Sequence, residues 1–231
     1  MAQLILIRPG LTEYDQQSRI QGTLDIPLCE AGRKQAAEAA EALRPYLPKA
    51  LYRSPGTSAE ETAELVGQAL DLKPKTLDQL QNVNLGLWQG LVVEEIRRKQ
   101  PKVYKQWQEH PETVQPPEGE TLAQVNERVE EVLTKLGRKY RSGAVALIAA
   151  EPLASVIRQR VEGSDIGDLW RAVNGCDHFD VLTLEASLPP KKVAVASQNG
   201  ATNGGAVKPA AKEQSNGRPK IVYRGVPVEG H

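Results

Sequence analysis

The sequence predicts an α/β fold, a three-layer α/β/α sandwich around a mostly parallel central sheet, on three observations. Short apolar runs alternate with amphipathic helical stretches as far as residue 184, the pattern of strands and covering helices. Residues 144–149 (AVALIA) are apolar without alternation, as expected of a strand buried on both faces. The composition changes at residue 187, and from there to 219 Gly, Ala, Asn, Lys and Pro dominate without one aromatic residue. A disordered C-terminal tail is therefore expected after the folded part.

Residues 3–7 (QLILI) form a short buried strand. Residues 30–44 place Ala36, Ala39, Ala40 and Leu43 on one helical face. A second strand is expected over 49–52, ended by the turn signal Ser54-Pro55-Gly56. Ser58-Ala59-Glu60-Glu61 has the capping-box form, which predicts Ser58 as the cap of a helix running to about Leu70. Lys75 to Leu80 reads as a third strand and GLWQG (86–90) as a tight, partly buried loop. A polar helical stretch follows, broken at Pro101 and Pro111. The next helix runs from Thr121 to about Tyr140 with Leu122, Val125, Val129, Val132, Leu133 and Leu136 on one face. After the 144–149 strand, a helix with Pro152 in its first turn carries Leu153, Val156, Ile157 and Val161 inward. Residues 179–184 supply the last strand.

The 231 residues thus divide into a domain at 1–186, a linker at 187–219 and a short segment at 220–231. Lys220–Val228 (KIVYRGVPV) regains β-branched and aromatic residues and reads as a docking motif, either for a protein partner's sheet edge or for the chain's own domain. Residues 187–231 carry seven Lys/Arg and two Asp/Glu, a net of +5, which leaves −5 for residues 1–186 out of balanced totals of 29 and 29. A nucleic-acid binder would carry its positive charge on the folded part, so no nucleic acid is expected. Two cysteines are too few for a disulfide framework, and no segment reaches the length of a membrane span. A cytoplasmic protein without membrane contact is expected.

Ligands of open α/β sheets bind beyond the carboxyl ends of the strands. Three stretches end there: Arg8 after the first strand, Ser54 to Ser58 after the second, and Ala150-Glu151-Pro152 after the AVALIA strand. An arginine at such a place suits an anion, and it also suits a neighbouring carboxylate.

The opening LILIRPGLTEYDQQSRIQGTLDIPLCEAGRKQA resembles that of the histidine phosphatase superfamily, the phosphoglycerate-mutase-like family. Arg8, Gly10, Thr12, Gln21, Gly22, Asp25, Pro27, Leu28 and Gly32 match its pattern of Arg-His-Gly-Glu-Thr followed by Ile-Gln-Gly and Asp-x-Pro-Leu. Ser54-Pro55 with Ala59, Thr62 and Ala63, then Gly86, Trp88 and Gly90, then Pro117-Glu118-Gly119-Glu120 resemble later blocks in the right order. The resemblance covers residues 2 to about 185.

The resemblance implies a phosphoryl pocket in which a histidine becomes phosphohistidine. It assigns phosphate-binding roles, here vestigial, to Arg8, Thr12, Gln21 and Gly22. The histidine position is Pro9, which has no nucleophilic atom. The second arginine falls on Ser58, the acid/base glutamate near Asn82, and the second histidine on Glu151. Phosphoryl transfer depends on positive charge around the moving oxygens. Two unit charges about 4 Å apart interact by roughly 4 kcal/mol at an effective dielectric of 20, so Glu151 would cancel much of what Arg8 gives a phosphate. A phosphate ligand would be held poorly, and a salt bridge between Arg8 and Glu151 is expected in its place.

Each substitution also has a structural reading. Pro9-Gly10 makes a turn, Ser58 caps a helix, and Glu151 suits a helix dipole. Cys29 before a helix is a capping or packing residue more readily than a nucleophile. Cys176 and His178 need not face each other, and Asp15, Glu151 and Asp177 lack a metal-binding spacing. No catalytic residue, metal or cofactor is expected. The chain reads as a catalytically inactive pseudoenzyme, a binding, regulatory or scaffold module. The alternative is an active phosphatase or mutase of this family with a non-standard pocket.

Overall fold

The computed structural model describes residues 1–163, 166, 169 and 178–185. The linker expected at 187–219, the motif at 220–228, Cys176 and Asp177 lie outside the described residues. Five strands, β1 (Ala2–Ile7), β2 (Leu51–Arg53), β3 (Pro74–Thr76), β4 (Gly143–Ile148) and β5 (Phe179–Leu184), form one sheet in the order β3-β2-β4-β1-β5. All neighbours are parallel except β1 and β5. The helices are α1 (Glu13–Gln16), α2 (Glu30–Leu43), α3 (Thr57–Leu70), α4 (Val93–Lys99), α5 (Pro101–Glu109), α6 (Leu122–Lys139) and α7 (Leu153–Glu162).

The alternation of strand side chains divides the core into two layers. Ile5, Ile7, Leu51, Ala144, Ala146 and Ile148 pack with Ala40 and Leu43 of α2 and Ala59, Ala63 and Val66 of α3. Leu4, Leu6, Tyr52, Val145 and Leu147 face the other way, onto α6, α7 and the Trp88–Trp107 edge-to-face pair. β4 lies between β1 and β2 and is buried from Ala144 onward, which is why its sequence lacks alternation. The expected three-layer architecture is the observed one. Among the described residues no helix is long and apolar enough to cross a membrane.

Four local expectations are corrected. β2 begins at Leu51, two residues late, because its ladder runs to the end of β4 and pairs Arg53 with Ile148. The third strand stops at Thr76 and gives way to a 3-10 turn over Asp78–Leu80. β3 is fully exposed and starts with a proline, as befits an edge. Ser58 does not cap α3. The helix begins two residues earlier than that cap implies, behind Gly56, whose φ of 110° is open to glycine, and Asp25 Oδ1 accepts from Thr57 N–H instead. Pro152 stands at the N-cap of α7 rather than inside its first turn.

The chain leaving β1 is held against α2 and α3 at very short range. Gly10 N–H donates to Thr62 Oγ1 at 3.1 Å, and a Cβ on Gly10 would fall 2.0 Å from the Gly32 carbonyl oxygen. That contact is backbone on backbone and has nothing flexible to yield. Gly10→Ala is expected to destabilise the fold by about 2 kcal/mol or more, by overpacking. Urea unfolding measures it, with Leu87→Ala at a 58 % exposed position as a control expected to change little.

Candidate anion pocket

The carboxyl ends of β1, β4 and β2 deliver the candidate residues side by side. Ala149 N–H bonds the Ile7 carbonyl and Ser54 N–H bonds the Ile148 carbonyl, so Arg8, Ala149 to Glu151, and Ser54 emerge on one rim. The Arg8 and Glu151 side chains are only 9 % and 8 % exposed, and Arg8 Nε donates to Glu151 Oε1 at 2.7 Å. The expected salt bridge is therefore present. Arg8 Nη2 also donates to Asp180 Oδ2 at 2.9 Å.

Asp180 was missed in the sequence, and the reason lies in sheet register. Leu6 pairs with Asp180, and the Arg8 N–H continues the antiparallel ladder to the His178 carbonyl at 3.0 Å. Arg8 and Asp180 thus sit diagonally across two strands on one face. The same bond brings the His178 backbone against Arg8. Only the strand pairing reveals either residue.

Glu151 is committed a second time. Its Oε2 accepts from Ser155 N–H at 3.0 Å, capping α7, whose own N-cap is a proline with no side-chain acceptor. Asn82, at the expected acid/base position, is a buried clasp. Its Nδ2 donates to the Gly22 and Glu151 carbonyls, and its Oδ1 accepts from Val83 and Leu153 N–H. Arg128 and Glu120 hold the same loop, through the Gln79 carbonyl and Asn84 N–H.

Gln21, Gly22, Ser58 and Asn82 line one cleft with Leu24, Ala59 and Ala150. The cleft is open to solvent on one side, and its cavity volume is about 10 Å³, about enough to hold one water molecule. Gly22 has φ +57° and abuts the Gln89 side chain, which accepts from Thr23 N–H. Thr12 stands apart: it is 1 % exposed, and its hydroxyl donates to Asp15 Oδ2 in the capping box of α1. Pro9 offers the site no polar side-chain atom. Cys29 is a half-buried N-cap of α2 without a side-chain cap bond. Among the described residues no three His, Cys, Asp or Glu side chains are placed to hold a metal ion.

A parallel-sheet α/β domain with an arginine at the end of its first strand and a helix N-terminus beside it defines a class of anion-handling folds. The profile of the histidine phosphatase superfamily (branch 1) matches residues 4–187, and the chain belongs to that superfamily. It is 30 % identical to phosphoserine phosphatase 1 of Hydrogenobacter thermophilus over 80 % of this chain and 88 % of that one. Among solved structures it superposes on mycobacterial hydrolase 1 with a TM-score of 0.70 (27 % identity, covering 80 % and 93 % of the two chains). It superposes on a mycobacterial glucosyl-3-phosphoglycerate phosphatase in complex with VO3 with a TM-score of 0.67 (29 % identity, 73 % and 85 %).

Breaking a buried ion pair strands the remaining charge. Arg8→Met is expected to cost about 3 kcal/mol. A double-mutant cycle should show stronger coupling to Glu151 than to Asp180, whose side chain is 25 % exposed. Asn82→Ala is expected to lose about 2 kcal/mol or more in the same unfolding assay, since it orphans buried backbone groups.

Proposed function

We infer that this superfamily member does not carry out phosphohistidine chemistry and acts in the cytoplasm as a binding or regulatory module. The observation that carries the reading is Pro9, a residue with no nucleophilic atom where the resemblance requires the attacking histidine. The Arg8–Glu151 bridge and the clasp made by Asn82 support it, because each turns a pocket position to a structural use. Lys220–Val228 remains the segment proposed to engage a protein partner. Loss of that partner on truncation at Ser187 would support this, and unchanged binding would remove it.

The relatives favour the second reading, an active phosphatase with a non-standard pocket, since those named for an activity are phosphatases. The His178 backbone beside Arg8 adds a specific observation, an imidazole-bearing residue on the rim of the site. One assay separates the two readings. The purified chain is given para-nitrophenyl phosphate, phosphoserine and glucosyl-3-phosphoglycerate, alongside the Pro9→His, Arg8→Met and His178→Ala variants. The first reading predicts no turnover above blank for the unsubstituted chain, and none for Pro9→His because Arg8 stays engaged. Hydrolysis by the unsubstituted chain that falls at least about a hundredfold in Arg8→Met or His178→Ala would establish the second.

A further inference from the structure

We propose that Tyr52 is a site of covalent acyl modification, a phenol whose oxygen is prepared for attack by Lys139 and Tyr140. The cluster shares no residue with the pocket at Arg8, so the inference stands whether or not that pocket is active.

Tyr52 lies in β2 with its ring turned to the α6 layer, and Lys139 and Tyr140 are the last residue and the C-cap of α6. Lys139 Nζ donates to the Tyr52 hydroxyl oxygen at 3.1 Å, and the Tyr140 hydroxyl stands 3.0 Å from the same oxygen. An ammonium only donates, so the Tyr52 oxygen is the acceptor at the centre of the cluster, and Tyr140 is placed to be its second donor. The two rings meet edge to face with centroids 6.4 Å apart, and Lys139 Nζ lies 5.8 and 5.4 Å from them. Lys75, paired with Tyr52 across β3, adds a second positive charge. Among the described residues no carboxylate forms an ion pair with Lys139 or Lys75.

This arrangement favours negative charge on the Tyr52 oxygen. Burial opposes its ionisation, yet the hydrogen bonds from Tyr140 and Lys139 and the charges of Lys139 and Lys75 outweigh it and bring the pKa below the ordinary phenol value. Tyr140 moves the opposite way, held protonated by burial and by its bond to Tyr52. Of the two phenols, Tyr52 therefore ionises first. Its phenolate attacks an activated acyl carbon; the carbon–oxygen bond forms as the bond to the leaving group breaks, and the phenol proton ends on the leaving group. Tyr52 is 5 % exposed, but the partners of its oxygen are an exposed lysine and a half-buried tyrosine, and a small donor has its approach beside those two side chains.

The test is acetylation of the full chain with N-acetylimidazole at about pH 8, where ordinary phenols are protonated. Tyr46, 38 % exposed, is the internal reference. Exposure alone predicts that Tyr46 is acetylated first; the proposal expects Tyr52 to match or outrun it. Peptide mapping locates the acetyl group, and hydroxylamine removes it from a phenol but not from a lysine. Lys139→Met is expected to slow Tyr52 about tenfold against Tyr46, through loss of a charge-assisted hydrogen bond, and Tyr140→Phe to slow it less. Circular dichroism melts confirm folding, and the comparison within the unsubstituted chain needs no variant. Slower acetylation of Tyr52 than of Tyr46 would overturn the proposal. So would a rate that both folded variants leave unchanged, or a hydroxylamine-resistant acetyl group on Lys139 in place of Tyr52.

Discussion

The buried bond between Arg8 and Glu151 is the constraint on which the site depends. It crosses from the end of β1 to the start of α7 and is nearly sealed from solvent on both sides. An arginine taken out of water needs an anion beside it. Here the chain itself supplies it, in Glu151 and Asp180. Glu151 can hold that position because one carboxylate oxygen faces the arginine and the other caps α7. Ion pair and helix cap therefore stabilise each other, and a ligand would have to displace both.

The surrounding residues follow from this arrangement. Asn82 ties the Glu151 carbonyl to Gly22 and to the first turn of α7. Arg128 of α6 and Glu120, just ahead of that helix, fix the loop that carries Asn82. Gly10 and Gly32 let the Pro9 turn approach α2 at a distance no side chain would allow. The stability of this region and the engagement of Arg8 are thus two sides of one set of contacts. The phosphatase names of the relatives describe proteins of the same fold; the chemistry resides in the few residues at the strand ends.

Much of this was legible in the sequence where chemistry depends on residue type at a motif position. Pro9, Ser58, Asn82 and Glu151 could be placed by counting within blocks, and the Arg8–Glu151 pair followed from opposite charges at adjacent strand ends. What was illegible depends on backbone conformation or non-local register. Ser58 read as a helix cap because its neighbours have the capping-box form, yet the cap is Gly56, with its positive φ, and α3 starts two residues earlier. The short β3 was overextended because nothing in Leu77–Leu80 announces a 3-10 turn. Asp180 reaches Arg8 only through an antiparallel pairing across more than 170 residues, and no spacing in the chain encodes it.

The central claim is that no residue of this site accepts a phosphoryl group. Intact-protein mass spectrometry after incubation with a small phosphoryl donor, such as acetyl phosphate or phosphoramidate, tests it without presuming a substrate. The account predicts an unmodified mass under conditions that label an active relative. A stoichiometric phosphoryl adduct, mapped to His178, Cys29 or another residue near Arg8, would contradict it.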